Sequence, residues 1–176
     1  MSPAAARAVR PYDALASAFA DRLGVAMGRC GLRSCRDLAD AVGMGRSSAS
    51  RYISGARLPG TRTLVDMAGA LGVGLDWLLG LDGEDEMDLH ATIPPLRGPY
   101  TEEPQLLLFR RRLRDAMRLE GIEGPSDLSA RSGVAHTTVM SYLRGERLPG
   151  AVSLVRLSRA LGVSCDWLLG FDGRRC

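Results

Sequence analysis

The feature that most constrains this 176-residue chain is that it contains one pattern twice. Phe19 laid on Phe109 stays in register without a gap as far as Gly83 and Gly173. The alignment pairs Arg22 with Arg112, Leu23 with Leu113, Met27 with Met117, Asp37 with Asp127, Leu38 with Leu128, Gly43 with Gly133, Tyr52 with Tyr142 and Gly55 with Gly145, and it ends on a shared "LGVxxDWLLGxDG". Two copies are too few to stack as a solenoid, so each must bury its own small core. The duplication therefore predicts two domains of about 65 residues, long enough to fold singly. Their bounds are read as 12–83 and 106–173, with a strip at 84–105 between them.

Within each copy the apolar spacing is helical. Phe19, Leu23, Ala26 and Met27 follow i, i+4, i+7, i+8, and Phe109, Leu113, Ala116 and Met117 repeat it, which predicts a first helix burying one stripe and stopping near Gly31 and Gly121. "SCRDLADAV" opens a short second helix, with Ser34 as cap and Asp37 at the third helical position in a capping box. The other copy has Gly124 as cap and Pro125 in the first turn. Gly43 and Gly133 end this helix. A third helix over about 45–54 puts Ala49, Tyr52 and Ile53 on one side; Arg46, Ser47, Ser50, Arg51 and Ser54 span an arc of roughly 140° on the other. Leu64, Met67, Ala68 and Leu71 mark a fourth, and "LDWLL" a fifth that returns Trp77 and Leu78 to the core. Alternating apolar runs are absent, and segments end in Gly or Pro. The expected fold class is all-α, two tandem five-helix bundles joined by a linker.

Charge is unevenly distributed. Residues 1–83 hold 10 Arg against 7 Asp, residues 84–105 one Arg against 6 acids, and residues 106–176 12 Arg against 7 acids. Two basic units flank an acidic, proline-rich strip. Lysine is absent, so every cation outside the terminus and the histidines is a guanidinium, a group suited to bidentate bonds with phosphate or guanine; nucleotide bias accounts for the missing lysine more simply than selection for such contacts.

The sequence argues against several function classes. No apolar run reaches the roughly 18 to 20 residues of a spanning helix, and the first residues lack the core of a signal peptide, so a cytoplasmic, nucleoid-associated protein is expected. Cys30, Cys35, Cys165 and Cys176, with His90 and His136, do not have zinc-ligand spacing, and reduced thiols are expected, with no metal or other cofactor. Ser, His and Asp are scattered over separate helices, with no Gly-rich phosphate loop, so no enzyme is expected.

A helix, a glycine turn and a second helix with a polar outer face form a helix-turn-helix. The stretches "DLADAVGMGRSSASRYISGARLPG" with "LVDMAGALGVGLDWLLG", and "DLSARSGVAHTTVMSYLRGERLPG" with "LVRLSRALGVSCDWLLG", resemble the DNA-binding domain of the phage repressor and Cro family, also called the XRE family. The resemblance covers nearly all of the chain outside the strip and the first dozen residues. It implies lambda-repressor-like domains of a prokaryotic or phage transcription regulator, a repressor in preference to an activator, with double-stranded DNA as partner and the third helix in the major groove. Carried over by position, the base-facing residues are Arg46, Ser47, Ser50 and Arg51 in the first copy and His136, Thr137, Met140 and Ser141 in the second. Candidates for phosphate contact are Ser34, Arg57 and Arg62, then Arg144 and Arg147. Gly45 and Ala135 stand where the family usually has a serine or threonine cap. The second copy also has no Arg, Asn or Gln on its first reading turns.

Further readings follow from the arrangement. Arg110, Arg114 and Arg118 share one helix face and are read as solvated. Arg7 and Arg10 form either a minor-groove arm or a disordered end, the latter preferred. A linker of about 22 residues has a contour of roughly 70 Å and, if flexible, a mean span near 26 Å, against about 34 Å between half-sites one helical turn apart. The chain can thus act as an intrachain pseudo-dimer or within a homodimer, and no small-molecule effector domain is evident. The rival reading is a protein-interaction module on the same scaffold, antitoxin-like or a co-regulator, with the second domain serving dimerisation instead of base reading.

Overall fold

The computed structural model describes residues 11–81 and 102–171; Arg7, Arg10, His90 and Cys176 lie outside them. The first unit comprises α1 (Pro11–Arg29), α2 (Cys35–Val42), α3 (Arg46–Ile53), α4 (Thr61–Leu71) and α5 (Leu75–Leu78). The second comprises α6 (Glu102–Leu119), α7 (Pro125–Ser132), α8 (His136–Arg144), α9 (Ala151–Leu161) and α10 (Cys165–Leu169). No strand occurs among the described residues, so the all-α, duplicated architecture is as the periodicity indicates. None of these helices is long and apolar enough to cross a membrane.

Each unit is built around the stripe of its first helix. Phe19, Leu23 and Ala26 are buried with Leu38, Ala49, Leu64 and Leu78, and Phe109, Leu113 and Ala116 with Leu128, Val139, Leu154 and Leu168. Truncating a fully buried aromatic such as Phe19 to alanine costs about 3 to 5 kcal/mol, a large share of a small domain's total stability. In the second unit the Phe109 ring meets Tyr142 edge-on, with centroids 5.8 Å apart, so the first helix and the third are keyed together.

Local signals explain the boundaries. Ser34 Oγ accepts from the Asp37 amide at 3.2 Å, and the Asp37 carboxylate accepts from the Ser34 and Arg33 amides, each at 2.9 Å. These bonds, the one from Arg33 foremost, hold the Asp37 carboxyl below its ordinary range. Gly124 caps α7 without a side chain, with Pro125 in the first turn. Gly43 and Gly133 close α2 and α7 in the left-handed region. α6 starts at Glu102, inside the strip that composition reads as linker up to 105; Pro104 is compatible with a first turn, where its missing N–H has no partner to lose.

The two units dock through α5 and α10, a relationship the repeat does not foretell. The Leu75 and Asp76 amides donate to the Asp166 carboxylate at 3.0 and 3.1 Å, and the Cys165 and Asp166 amides donate to the Asp76 carboxylate at 2.9 and 3.0 Å. A separate bond crosses between the units where the buried Thr61 hydroxyl, at the start of α4, donates to the Pro149 carbonyl. Arg22 lies over the Trp77 ring at 4.9 Å and Arg112 over the Trp167 ring at 5.0 Å, so in both units the first helix is also fastened to the last.

Candidate nucleic-acid interface

The repeated YxxGxRLPG is a frame whose tyrosine and proline are buried in both copies. Tyr52, Leu58 and Pro59 are buried, and so are Tyr142 and Pro149. Gly55 follows α3 at φ 68°, and a Cβ there would stand 3.3 Å from the Ala16 carbonyl oxygen; only glycine combines that backbone with that approach to α1. The loop is anchored again where the Leu58 amide donates to the Tyr12 hydroxyl at 3.2 Å. Ala56 and Arg57, in the middle of this loop, are exposed.

Against that frame α3 projects its variable side outward. Ala49 and Tyr52 are buried, whereas Arg46, Ser47, Ser50 and Arg51 are all exposed, as the 100° spacing requires. α3 packs on α2 across the turn, where the Met44 amide donates to the Ala39 carbonyl at 2.9 Å. The helix itself contains no acid. Among the described residues no carboxylate pairs with Arg46, Arg51 or Arg57, while Arg36 and Arg62 lie 3.6 Å from Asp40 and Asp66. The face thus offers two unneutralised guanidiniums and two short hydroxyls, with Arg57 adding a third guanidinium from the adjoining loop, a composition that fits a groove lined with acceptors.

The phosphate candidates fall into different settings. Arg57 is exposed beside α3. Ser34, also exposed, uses its oxygen to cap α2 and keeps its hydroxyl proton for another acceptor. Arg62, at the start of α4, is engaged by Asp66. In the second unit Arg144 pairs with Glu146 at 3.1 Å. Arg147 donates to Thr138 Oγ1 at 3.0 Å and lies over the Tyr142 ring at 5.5 Å. Both second-unit arginines are therefore tied to protein partners in a way Arg57 is not.

The outer side of α8 is more closed. His136 and Thr137 are exposed, but Met140 and Ser141 are half-buried. Arg110 and Arg114, expected to be simply solvated, instead reach the C-terminal end of α8: Arg114 Nη2 donates to the Leu143 carbonyl at 2.9 Å and Arg110 Nη1 to the Arg144 carbonyl at 3.5 Å. The last carbonyls of a helix lack intrahelical donors and carry partial negative charge, which is why two cations on α6 settle there. Arg118 pairs with Asp115 on its own helix. The first unit has Ala20 and Gly24 in place of Arg110 and Arg114, so α3 lacks this tie. Neither α3 nor α8 has a side-chain cap at its start, the positions being Gly45 and Ala135.

Asp76 and Asp166, whose carboxylates join the units, lie outside the residues that the repeated YxxGxRLPG motif singles out. The available signal was a carboxylate set twice, in register, within the apolar run "DWLL". Among the described residues no cluster of His, Cys, Asp and Glu is arranged to hold a metal ion. Cys165 is buried and Cys30 exposed, both as free thiols.

A family model described as helix-turn-helix matches the chain twice, over residues 28–78 and 113–168, which together make up more than half of it. No curated protein and no solved structure matches the chain.

Proposed function

The chain belongs to the helix-turn-helix family of the XRE type, and on that premise we propose that it is a sequence-specific regulator of transcription, a repressor, that lays α3 and α8 in the major groove of double-stranded DNA. The observation that carries this reading is the outer side of α3, where Arg46, Ser47, Ser50 and Arg51 are exposed together with no acid on the helix. Arginine pairs bidentately with guanine O6 and N7, and serine bonds to several base edges. Arg57 sits in the adjoining loop as a backbone contact that fixes register.

The two readers differ in strength. α3 carries the base discrimination, and α8, with His136 and Thr137 outward and Met140 half-buried, adds a weaker second contact. A single chain then prefers an asymmetric site. The second reading, in which the second unit serves association more than base recognition, is favoured by the ties on Arg144 and Arg147.

Selection from a random duplex pool at two salt concentrations tests the proposal. Phosphate-dominated binding collapses as salt rises, whereas base reading keeps its ranking of sequences. Enrichment of an asymmetric site with the same ranking at both concentrations is expected. A pool that stays random at both would remove the proposal.

A further inference from the structure

Selecting two half-sites at one fixed spacing requires that the readers be held at a defined separation, and the α5–α10 junction has the construction to do this. Its four hydrogen bonds are reciprocal: Asp76 takes the amides of Cys165 and Asp166, and Asp166 takes those of Leu75 and Asp76. These are repeat-equivalent residues exchanging the same contact, the pattern of an isologous interface between subunits, here closed within one chain. A carboxylate accepting two amides in parallel fixes orientation as well as distance. Asp76 is 7% exposed, so its bonds form away from competing water and breaking them leaves a buried carboxylate unsatisfied. The fit is close: a Cβ at Gly74 would stand 3.2 Å from Asp166 Oδ2.

From this junction the contacts run continuously to both reading helices. Arg22 over Trp77 joins α5 to α1, and Arg112 over Trp167 joins α10 to α6. The loop after α3 seats Gly55 on α1, while Arg110 and Arg114 hold the end of α8 to α6. We infer that Asp76 and Asp166 are positioning residues that set the half-site spacing the chain accepts, converting two tethered readers into one rigid bipartite reader. The inference rests on the proposed DNA reading and adds a specificity determinant that touches no base.

The full chain, wild type and Asp76→Ala/Asp166→Ala, is compared in two ways: by small-angle X-ray scattering, and by selection from duplexes in which the two half-sites are separated by a variable spacer. The wild type is expected to scatter as one docked body and to enrich one spacing. The double variant is expected to keep its helical circular dichroism, expand in scattering, and recover the same half-site sequences over many spacings, with roughly tenfold weaker binding at the wild-type spacing because the second contact now depends on a flexible tether. Should the double variant lose helicity, Gly74→Leu carries the comparison: its backbone, φ −69° and ψ 156°, suits any residue, and the side chain wedges the junction without removing a carboxylate. A wild type that enriches half-sites at many spacings, or variants that keep both compact scattering and a single spacing, would overturn the positioning role and leave the DNA reading standing. A wild type that enriches no sequence would overturn both.

Discussion

Arg114 holds Leu143: the guanidinium on α6 donates to the carbonyl near the end of α8 at 2.9 Å, whereas the equivalent position on α1 is Gly24, which has no side chain to reach α3. The two helices proposed to read DNA are thus differently restrained, the second at its C-terminal turn and the first mainly through its packed face and the Gly55 contact.

Removing that restraint has a local signature. Arg110→Ala/Arg114→Ala is expected to weaken the end of α8 by roughly 0.3 to 1 kcal/mol per cation and to speed amide hydrogen exchange there, leaving α3 untouched. Equal exchange in both variant and wild type would show the two bonds to be idle.

Base and backbone contacts separate by their dependence on sequence and salt. Arg51→Ala is expected to lower the preference for the selected site over random duplex by about 1 to 3 kcal/mol. Arg57→Ala is expected to weaken all duplexes alike and to reduce the slope of log affinity against log salt by about 0.9. Equal losses for both variants on specific and random duplexes would cancel the assignment of roles.

The starts of the reading helices can be improved. Gly45 caps α3 in extended backbone and Ala135 caps α8 at φ −54° and ψ 137°, neither with a side-chain bond, and a Cβ at Gly45 meets nothing within 4 Å. Ala135→Ser is expected to stabilise the second unit by about 0.5 to 2 kcal/mol, and Gly45→Ser to stabilise the first by only a few tenths. Thermal unfolding of the full chain reads the difference; a larger gain at Gly45 would contradict the capping argument.

Docking of the units is expected to depend on pH in a defined direction. Burial, foremost, with the facing Asp76 carboxylate adding to it, pushes the Asp166 carboxyl up to about 7. Cys165, the adjoining thiol, is likewise raised by burial, and Arg22 and Arg112 lie over the two tryptophan rings. With the Asp166 carboxyl pKa raised from its ordinary 3.8, the docked form binds more protons than the separated form between these values. Docking therefore weakens as pH rises from about 4 to about 7 and levels off above that. Scattering or thermal unfolding across this range should show the trend, and Asp166→Asn, which imitates the protonated acid, should flatten it. An unchanged slope in that variant would assign the dependence elsewhere.

The repeat, the helix order and the outward face of α3 were legible because each leaves a local periodic mark. Phe19 and Leu23 recur at helical spacing, Ser34 and Asp37 sit at cap spacing, and Arg46 to Arg51 alternate with buried Ala49. The docking carboxylates left no such mark: the amides that donate to them lie in the other repeat, and a lone acid in an apolar run does not say which amides it will meet. Arg110 and Arg114 looked like a solvated face because the carbonyls they satisfy belong to another helix and carry no side-chain signature.

One consequence follows from the junction being closed within a single polypeptide. A reader assembled from two separate molecules falls apart on dilution, so its occupancy drops faster than its abundance. Here the Asp76–Asp166 exchange is unimolecular, and on the proposed single-chain DNA reading the occupancy of a target site is expected to track copy number linearly even when a cell holds only a handful of molecules.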